Sequence, residues 1–167
     1  MTGDERPPAC GARPALALWA LAPWALLWAG AIGYLGWLRW ATYQLGTFDL
    51  AFYEQALAGG IGFGRLSLLG VPLLGNHFDP IVWAFLPLYW LWSSPLVLVF
   101  GQALVLAGLL PLGYRYARGC GGGGLASLWL GLAMLLSPGV VYAGLHEFHP
   151  EALGAVFLLL LLLGRRE

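Results

Sequence analysis

Long runs of apolar residues dominate the pattern along this chain. Residues 15–38, 95–114 and 125–145 each contain no charged side chain. About 20 apolar residues in a helix cross a hydrocarbon core of about 30 Å. The pattern therefore predicts three membrane spans, and Pro138 predicts a kink within the third because its ring interrupts a helix.

Two shorter apolar segments need a different interpretation. Residues 150–164 end before Arg165, and we expect a fourth span there if the bilayer thins around it. Residues 81–92 measure about 18 Å as a helix, which is too short to cross. They carry Pro87 and are rich in Trp and Tyr, which favour the membrane interface. We expect them to form a re-entrant or interfacial segment.

The fold class that follows is all-α, a polytopic transmembrane helical bundle of about four spans. Residues 1–14 form a predicted cytoplasmic tail, residues 15–167 the transmembrane domain, and residues 39–80 an outer loop. The first apolar run is long for a cleaved signal peptide, so it is interpreted as an uncleaved signal anchor.

Composition supports a membrane protein. The chain is 60% hydrophobic and 10% charged, whereas soluble domains carry about 25% charged residues. This excludes a soluble globular domain, and a net charge of zero favours neither nucleic acid nor an acidic partner. Cys10 and Cys120 lack the spacing of a zinc site or a disulfide framework.

The arginines predict the orientation, because cytoplasmic loops are enriched in positive charge. With the amino terminus in the cytoplasm, only Arg39 and Arg65 lie outside. We therefore expect a multi-pass plasma-membrane protein whose outer loop and residues 146–149 face one external compartment. The arginines on the cytoplasmic side are then Arg6, Arg13, Arg115, Arg118, Arg165 and Arg166.

Residues 47–57 of the outer loop predict a short helix. Thr47 is suited to cap it, Asp49 suits its first turn, and Gly59 with Gly60 ends it. Three aromatic side chains are expected to anchor this helix at the membrane interface: Phe48, Phe52 and Tyr53.

Asp49 permits two interpretations. It either complements the helix dipole or serves as a catalytic carboxylate at the membrane rim, and the sequence does not decide between them. Glu54 lies about 140° from it around a helix, so the two do not form a paired-carboxylate site by themselves.

Two further clusters, in residues 75–80 and 146–151, combine histidine with carboxylate side chains. Such residues supply acid/base groups and ligands for a divalent cation, and the predicted orientation gathers them with Asp49 at one external rim. Their spacing is not a known zinc signature, so solvated interfacial turns are the alternative. The substrate or metal candidates are Glu54, His77, Asp79, His146, Glu147, His149 and Glu151.

Other polar features have structural interpretations. Gln102 in the second span is expected to make an interhelical hydrogen bond rather than to bind a ligand. Residues 119–124 lack the Lys-Ser/Thr of a phosphate loop and predict a cytoplasmic connector. No charged residue lies in the core of the three convincing spans, which argues against ion-coupled transport.

At these clusters the chain resembles a known family, from about Arg39 to the carboxyl terminus. In order and spacing, its motifs resemble the bacterial and archaeal predicted membrane proteins catalogued as domain of unknown function two thousand and seventy-nine. Members are usually longer, so the resemblance covers their amino-terminal part. The motifs are Thr47-Phe48-Asp49-Leu50, His77-Phe78-Asp79-Pro80, Leu86-Pro87-Leu88-Tyr89, Gln102-Ala103-Leu104, Leu110-Pro111-Leu112, Leu136-Ser137-Pro138 and Phe148-His149-Pro150-Glu151-Ala152.

That family is considered akin to the C-type glycosyltransferases, which take sugars from polyprenyl-phosphate carriers. The resemblance implies a catalytic or metal-contacting role for Asp49, a polyprenyl-phosphate sugar as substrate and a divalent cation as cofactor. It also implies that further carboxyl-terminal spans or a partner subunit complete the enzyme. The alternatives are a non-enzymatic membrane scaffold or assembly protein and a transporter segment.

Overall fold

The computed structural model describes residues 14–46, 48–60, 70–76 and 78–165. Within these ranges the chain forms helices and turns without a strand, which confirms the all-α class. The helices are α1 Pro14–Ala41, α2 Phe48–Ala58, α3 Leu73–Asn76, a 3-10 helix Pro80–Phe85, α4 Leu86–Leu91, α5 Leu96–Ala107, α6 Leu109–Gly119, α7 Gly124–Leu135, α8 Pro138–Leu145 and α9 Pro150–Gly164.

Two stretches among the described residues are long and apolar enough to cross a membrane. They are Leu18–Ala41 in α1 and Leu96–Gly119, which joins α5 to α6, and each has 24 residues. The helices α7 and α8 make a third if they count as one span bent by 44°. Ser137 caps α8 through its hydroxyl and Pro138 follows, so the kink expected at this proline is confirmed.

The expected number of about four spans is wrong for the described residues, which provide two or three by length and composition. The predicted fourth span is α9, whose 15 residues measure about 22 Å against a hydrocarbon core of about 30 Å. The segment Pro80–Leu91 is also a short apolar helix, in agreement with the expectation that it is too short to cross.

The candidate spans pack closely through glycines. A Cβ atom built on Gly33 of α1 would lie 2.6 Å from Cδ1 of Phe100 in α5, and one on Gly36 would lie 2.6 Å from Cγ1 of Val99. Both distances are far inside van der Waals contact. The absence of a side chain at these positions therefore lets α1 lie against α5.

The helix α2 agrees with the expected short helix, and Gly60 ends it with a φ of 72°. Its expected cap, Thr47, lies outside the described residues. The expectation of interface anchors is wrong for Phe52 and Tyr53, which are 2% and 3% exposed, whereas Phe48 is 62% exposed. Because α2 packs on the 3-10 helix and α4, its aromatic face meets protein instead of lipid headgroups.

Phe148 lies at the centre of the core beneath α2. Its side chain is fully buried, and its ring meets the edges of Tyr53 and Phe85 at centroid distances of 5.2 and 5.3 Å. Such edge-to-face pairs add to the free energy gained by burying the rings. Phe148 stands between Glu147 and His149, so this packing fixes the turn that carries three of the candidate site residues, His146 included.

Candidate active site

The turn between α8 and α9 meets the first turn of α2. One carboxylate oxygen of Glu147, Oε2, accepts hydrogen bonds from the backbone N–H groups of Asp49 at 2.9 Å and Leu50 at 3.2 Å. The first amides of a helix have no acceptor inside it, and the positive end of the helix dipole attracts an anion. Glu147 therefore caps α2 from a distant part of the chain.

His149 lies between two carboxylates. Its Nδ1 atom is 3.8 Å from Oδ2 of Asp49 and 3.9 Å from Oε2 of Glu151. The side chains of Asp49 and His149 are about one-third exposed and that of Glu151 is 66% exposed, so all three are accessible to solvent. We refer to Asp49, Glu147, His149 and Glu151 as the polar cluster.

A buried glutamine holds the turn that carries the cluster. Gln102 of α5 is 1% exposed, and its Nε2 donates to the carbonyl oxygens of Ala143 at 2.7 Å and Glu147 at 3.4 Å. Its Oε1 accepts from the backbone N–H of His149 at 2.8 Å. The expected interhelical contact is confirmed, and its partners are the residues that bracket the turn.

His146 extends the cluster as a ring stack. Its imidazole lies 5.6 Å from that of His149 at an interplanar angle of 6°, and 4.8 Å from the ring of Tyr142. The two histidines of the turn between α8 and α9 are therefore parallel neighbours.

Asp79 is connected to the polar cluster by a hydrogen bond from Tyr53 of α2, the helix that also carries Asp49. The phenol of Tyr53 donates to Oδ2 of Asp79 at 2.7 Å. Burial raises the pKa of Tyr53 well above its ordinary value, and the hydrogen bond and negative charge of Asp79 raise it further, followed by the charges of Glu151 and Asp49. Carboxylates from three separate parts of the fold thus contribute to the raised pKa of Tyr53.

Glu54 has a different environment from Asp49, as its position on the helix predicts. The phenol of Tyr89 donates to Oε1 of Glu54 at 3.4 Å. Burial raises the pKa of Tyr89, and the charge and hydrogen bond of Glu54 raise it further. Glu54 is therefore associated with α4, whereas Asp49 is associated with the turn between α8 and α9.

Some of the residues that the sequence predicts to gather lie together, whereas their position at an external rim stays a prediction. The structure brings Asp49, Glu147, His149 and Glu151 together, places His146 beside them and links Asp79 through Tyr53. His77 lies outside the described residues. No group of three or more His, Cys, Asp or Glu side chains in the described ranges has the arrangement of a metal site.

Sequence reasoning did not identify Gln102 and Tyr53 as parts of this site. Gln102 is the one amide in an otherwise apolar span, and such a residue signals a buried hydrogen bond without revealing its partner. Tyr53 has the aromatic character of an interface anchor, and only its contact with Asp79 shows its polar function.

A cleft of about 410 Å³ opens beside the polar cluster. Glu151 stands in its wall, and the remaining wall is mostly apolar and contributed by α5, α8 and α9. Several of its lining residues are small: Gly139, Ala143, Ala152 and Ala155.

Apolar helices of membrane-spanning length, with polar side chains gathered at the turn between α8 and α9, define a polytopic helical membrane protein. The chain belongs to the family described as Predicted membrane protein (DUF2079), which matches residues 35–167. The resemblance found in the sequence motifs is confirmed at this level. No curated protein and no solved structure matches the chain.

Proposed function

We propose that this chain is a module of a membrane glycosyltransferase that takes its sugar from a polyprenyl-phosphate carrier, with Asp49 as the general base. One observation carries the proposal. The partly exposed carboxylate of Asp49 lies 3.8 Å from Nδ1 of His149, on a helix whose first turn is fixed by Glu147. A general base needs this combination of access and fixed position.

The chemistry needs a proton acceptor at the attacking oxygen. The hydroxyl of the acceptor gives its proton to Asp49 while its oxygen forms a bond to the anomeric carbon of the sugar. The bond between that carbon and the phosphate oxygen breaks, and the polyprenyl phosphate leaves with the bonding electrons. The imidazole of His149 stabilises the charge on Asp49 before transfer, and Asp49 releases the acquired proton to water afterwards.

Charge balance gives the histidines a second role. The carboxylates of Asp49 and Glu151 repel a phosphate, whereas the charge of Glu147 is offset by the amides of α2. His146 and His149, when protonated, are the cationic groups beside the carboxylates. In this proposal the hydrocarbon of the carrier lies in the cleft that Glu151 lines.

The test is the substitution Asp49→Asn, which keeps the size of the side chain and removes its charge. Loss of a general base lowers rates by about 100-fold or more. Transfer of a radiolabelled sugar from a polyprenyl-phosphate donor is measured in membranes that contain the natural full-length protein. The matched control is Glu54→Gln, on the same helix but beside Tyr89, which should retain transfer.

Unchanged transfer by Asp49→Asn would reject the catalytic proposal. It would favour the two alternatives, a membrane scaffold or a transporter segment. A normal amount of the variant protein in the membrane is required, so that lost activity is not confused with lost expression.

The proposal includes an orientation in which the polar cluster faces the external compartment. Cys120 follows α6 and is exposed, and Phe78 precedes the 3-10 helix and is 81% exposed. In a Cys10→Ser background, an impermeant thiol reagent should label Phe78→Cys in intact cells and Cys120 only after permeabilisation. Labelling of Cys120 in intact cells would contradict this orientation.

A further inference from the structure

Glu147 is bound to the backbone of the helix that carries Asp49. Its Oε2 accepts from both Asp49 and Leu50, and the rest of its carboxylate lies against Gly46. A Cβ atom on Gly46 would collide with that carboxylate. The close approach of the glycine backbone therefore creates the space in which Glu147 reaches the start of α2.

The backbone of Glu147 is fixed as firmly as its side chain. Gln102 donates a hydrogen bond to the carbonyl oxygen of Glu147 and accepts one from the backbone N–H of His149. Phe148 between them is fully buried. The position of Glu147 is thus set by α5, which belongs to a candidate span, and by the aromatic core.

We infer that Glu147 is a positioning residue for Asp49, anchored by Gln102; this rests on the proposed function. The turn that carries Glu147 also carries His149, so a single element fixes the amide of Asp49 and the partner of its carboxylate. The distance between Asp49 and His149 therefore depends on the cap. Glu147 contributes to the reaction through Asp49 and does not need to touch substrate.

Hydrogen exchange of the α2 amides tests the cap without reference to activity. In Glu147→Ala, the amides of Asp49 and Leu50 lose their acceptor, and we expect them to exchange about tenfold faster. Glu147→Gln keeps an acceptor oxygen and should restore most of the protection. Gly46→Ala, which displaces the carboxylate, should raise exchange as Glu147→Ala does.

Glu151→Ala is the matched control for exchange, because Glu151 contacts His149 and has no described hydrogen bond to the amides of α2. It should leave the protection of α2 unchanged. Unchanged exchange in both Glu147→Ala and Gly46→Ala would overturn the inference, since the cap would then be absent in solution.

Transfer kinetics of the full-length protein separate positioning from ligand binding. We expect Glu147→Ala to lower kcat about tenfold with little change in KM, and Glu147→Gln to recover most of it. If Glu147→Gln loses transfer as fully as Glu147→Ala while its amides remain protected, the charge itself is required and the inference fails. Normal transfer by Glu147→Ala with exposed amides would also overturn it.

These outcomes are distinct from failure of the proposed function. Retained transfer by Asp49→Asn would reject Asp49 as the base and with it the positioning of that base. The exchange results would then still report whether Glu147 caps α2.

Discussion

The polar cluster and the hairpin formed by α6 and α7 are held together in opposite ways. At the cluster, hydrogen bonds join residues 98 and 47 positions apart, from Asp49 to Glu147 and from His149 to Gln102. At the hairpin, the side chains of Arg118 and Ser127 each bond a glycine carbonyl four positions away. The hairpin is thus determined by local sequence, whereas the cluster exists only in the folded molecule.

Packing shows the same contrast. The helices of the hairpin approach through backbone, because a Cβ atom on Gly131 would lie 2.5 Å from the carbonyl oxygen of Leu110 and one on Gly113 would lie 3.0 Å from Cα of Gly131. Beneath the cluster, the contacts are between aromatic side chains of α2, the 3-10 helix and the turn that follows α8. Glycines therefore determine the packing of the hairpin, whereas aromatic side chains determine the packing beneath the polar cluster.

Phe148→Ala should have the largest effect, because it removes a fully buried ring from beneath the cluster. We expect a loss of about 4 kcal/mol in the free energy of unfolding, measured by denaturant titration in detergent micelles. The matched control is Phe157→Ala on α9, where the ring is 44% exposed and a much smaller loss is expected. Equal losses at the two positions would show that the aromatic core is not the main support of the cluster.

Gly131→Val should disrupt the hairpin by forcing a side chain against the backbone of Leu110. Overpacking of this kind costs about 3 kcal/mol at the upper end of its usual range, and the same unfolding titration measures it. Gly154→Ala in α9 is the matched control, since nothing lies within 4 Å of its added Cβ. A stable Gly131→Val protein would mean that the two helices separate without cost.

The sequence predicted the elements better than the site. The apolar runs define α1, α5 with α6, and α7 with α8, because each span is encoded locally by length and composition. The run of glycines at the end of α6 predicted a connector for the same reason, and α6 and α7 are joined there. The number of spans was wrong because α9, whose bounds agree with the predicted segment, has only 15 residues and was counted as a span on the assumption that the bilayer thins around it.

The site depends on partners that are far apart in sequence. The pattern identified Asp49, Glu147 and His149 as polar residues of one side, but no local rule reveals that Glu147 would cap α2. Phe52 and Tyr53 resembled interface anchors because an aromatic residue near a span suits both lipid headgroups and protein. Only the packing of α2 on the 3-10 helix decides between these environments.

Gln102→Leu tests whether a buried polar side chain contributes more to the free energy of unfolding at the polar cluster than at the hairpin. The substitution leaves the N–H of His149 and the carbonyl of Ala143 without their partner, so we expect a loss of about 2 kcal/mol. Ser127→Ala is the comparison in the hairpin. Ser127 is also fully buried, but its hydroxyl bonds a local carbonyl, and we expect about 1 kcal/mol.

Unfolding titrations of the two variants measure this difference, and exchange at the amide of His149 should increase in Gln102→Leu alone. Equal losses in the two variants, without faster exchange at His149, would remove the distinction between long-range and local polar contacts.

Tyr53 gives the smallest effect and the one that depends on pH. Its pKa in the folded protein is raised, by burial first and by Asp79 next, above an unfolded value of about 10. The neutral phenol is therefore favoured by folding, and its contribution is fully present below pH about 10. As the pH rises beyond this value, the unfolded chain loses the Tyr53 proton first, and stability falls by about 1.4 kcal/mol per pH unit.

Tyr53→Phe removes the titrating group while keeping the ring that packs on Phe148. At pH 8 the variant should lose only the hydrogen bond to Asp79, about 1 kcal/mol. Between pH 10 and 11 its stability should fall less steeply than that of the wild type, by about 1 kcal/mol over that unit, because the unfolded phenol is only half ionised at pH 10. Because other tyrosines titrate in both proteins, the difference between the two curves isolates Tyr53. Parallel curves would show that the phenol is not held as a neutral donor to Asp79, and the connection of Asp79 to the polar cluster would be lost with it.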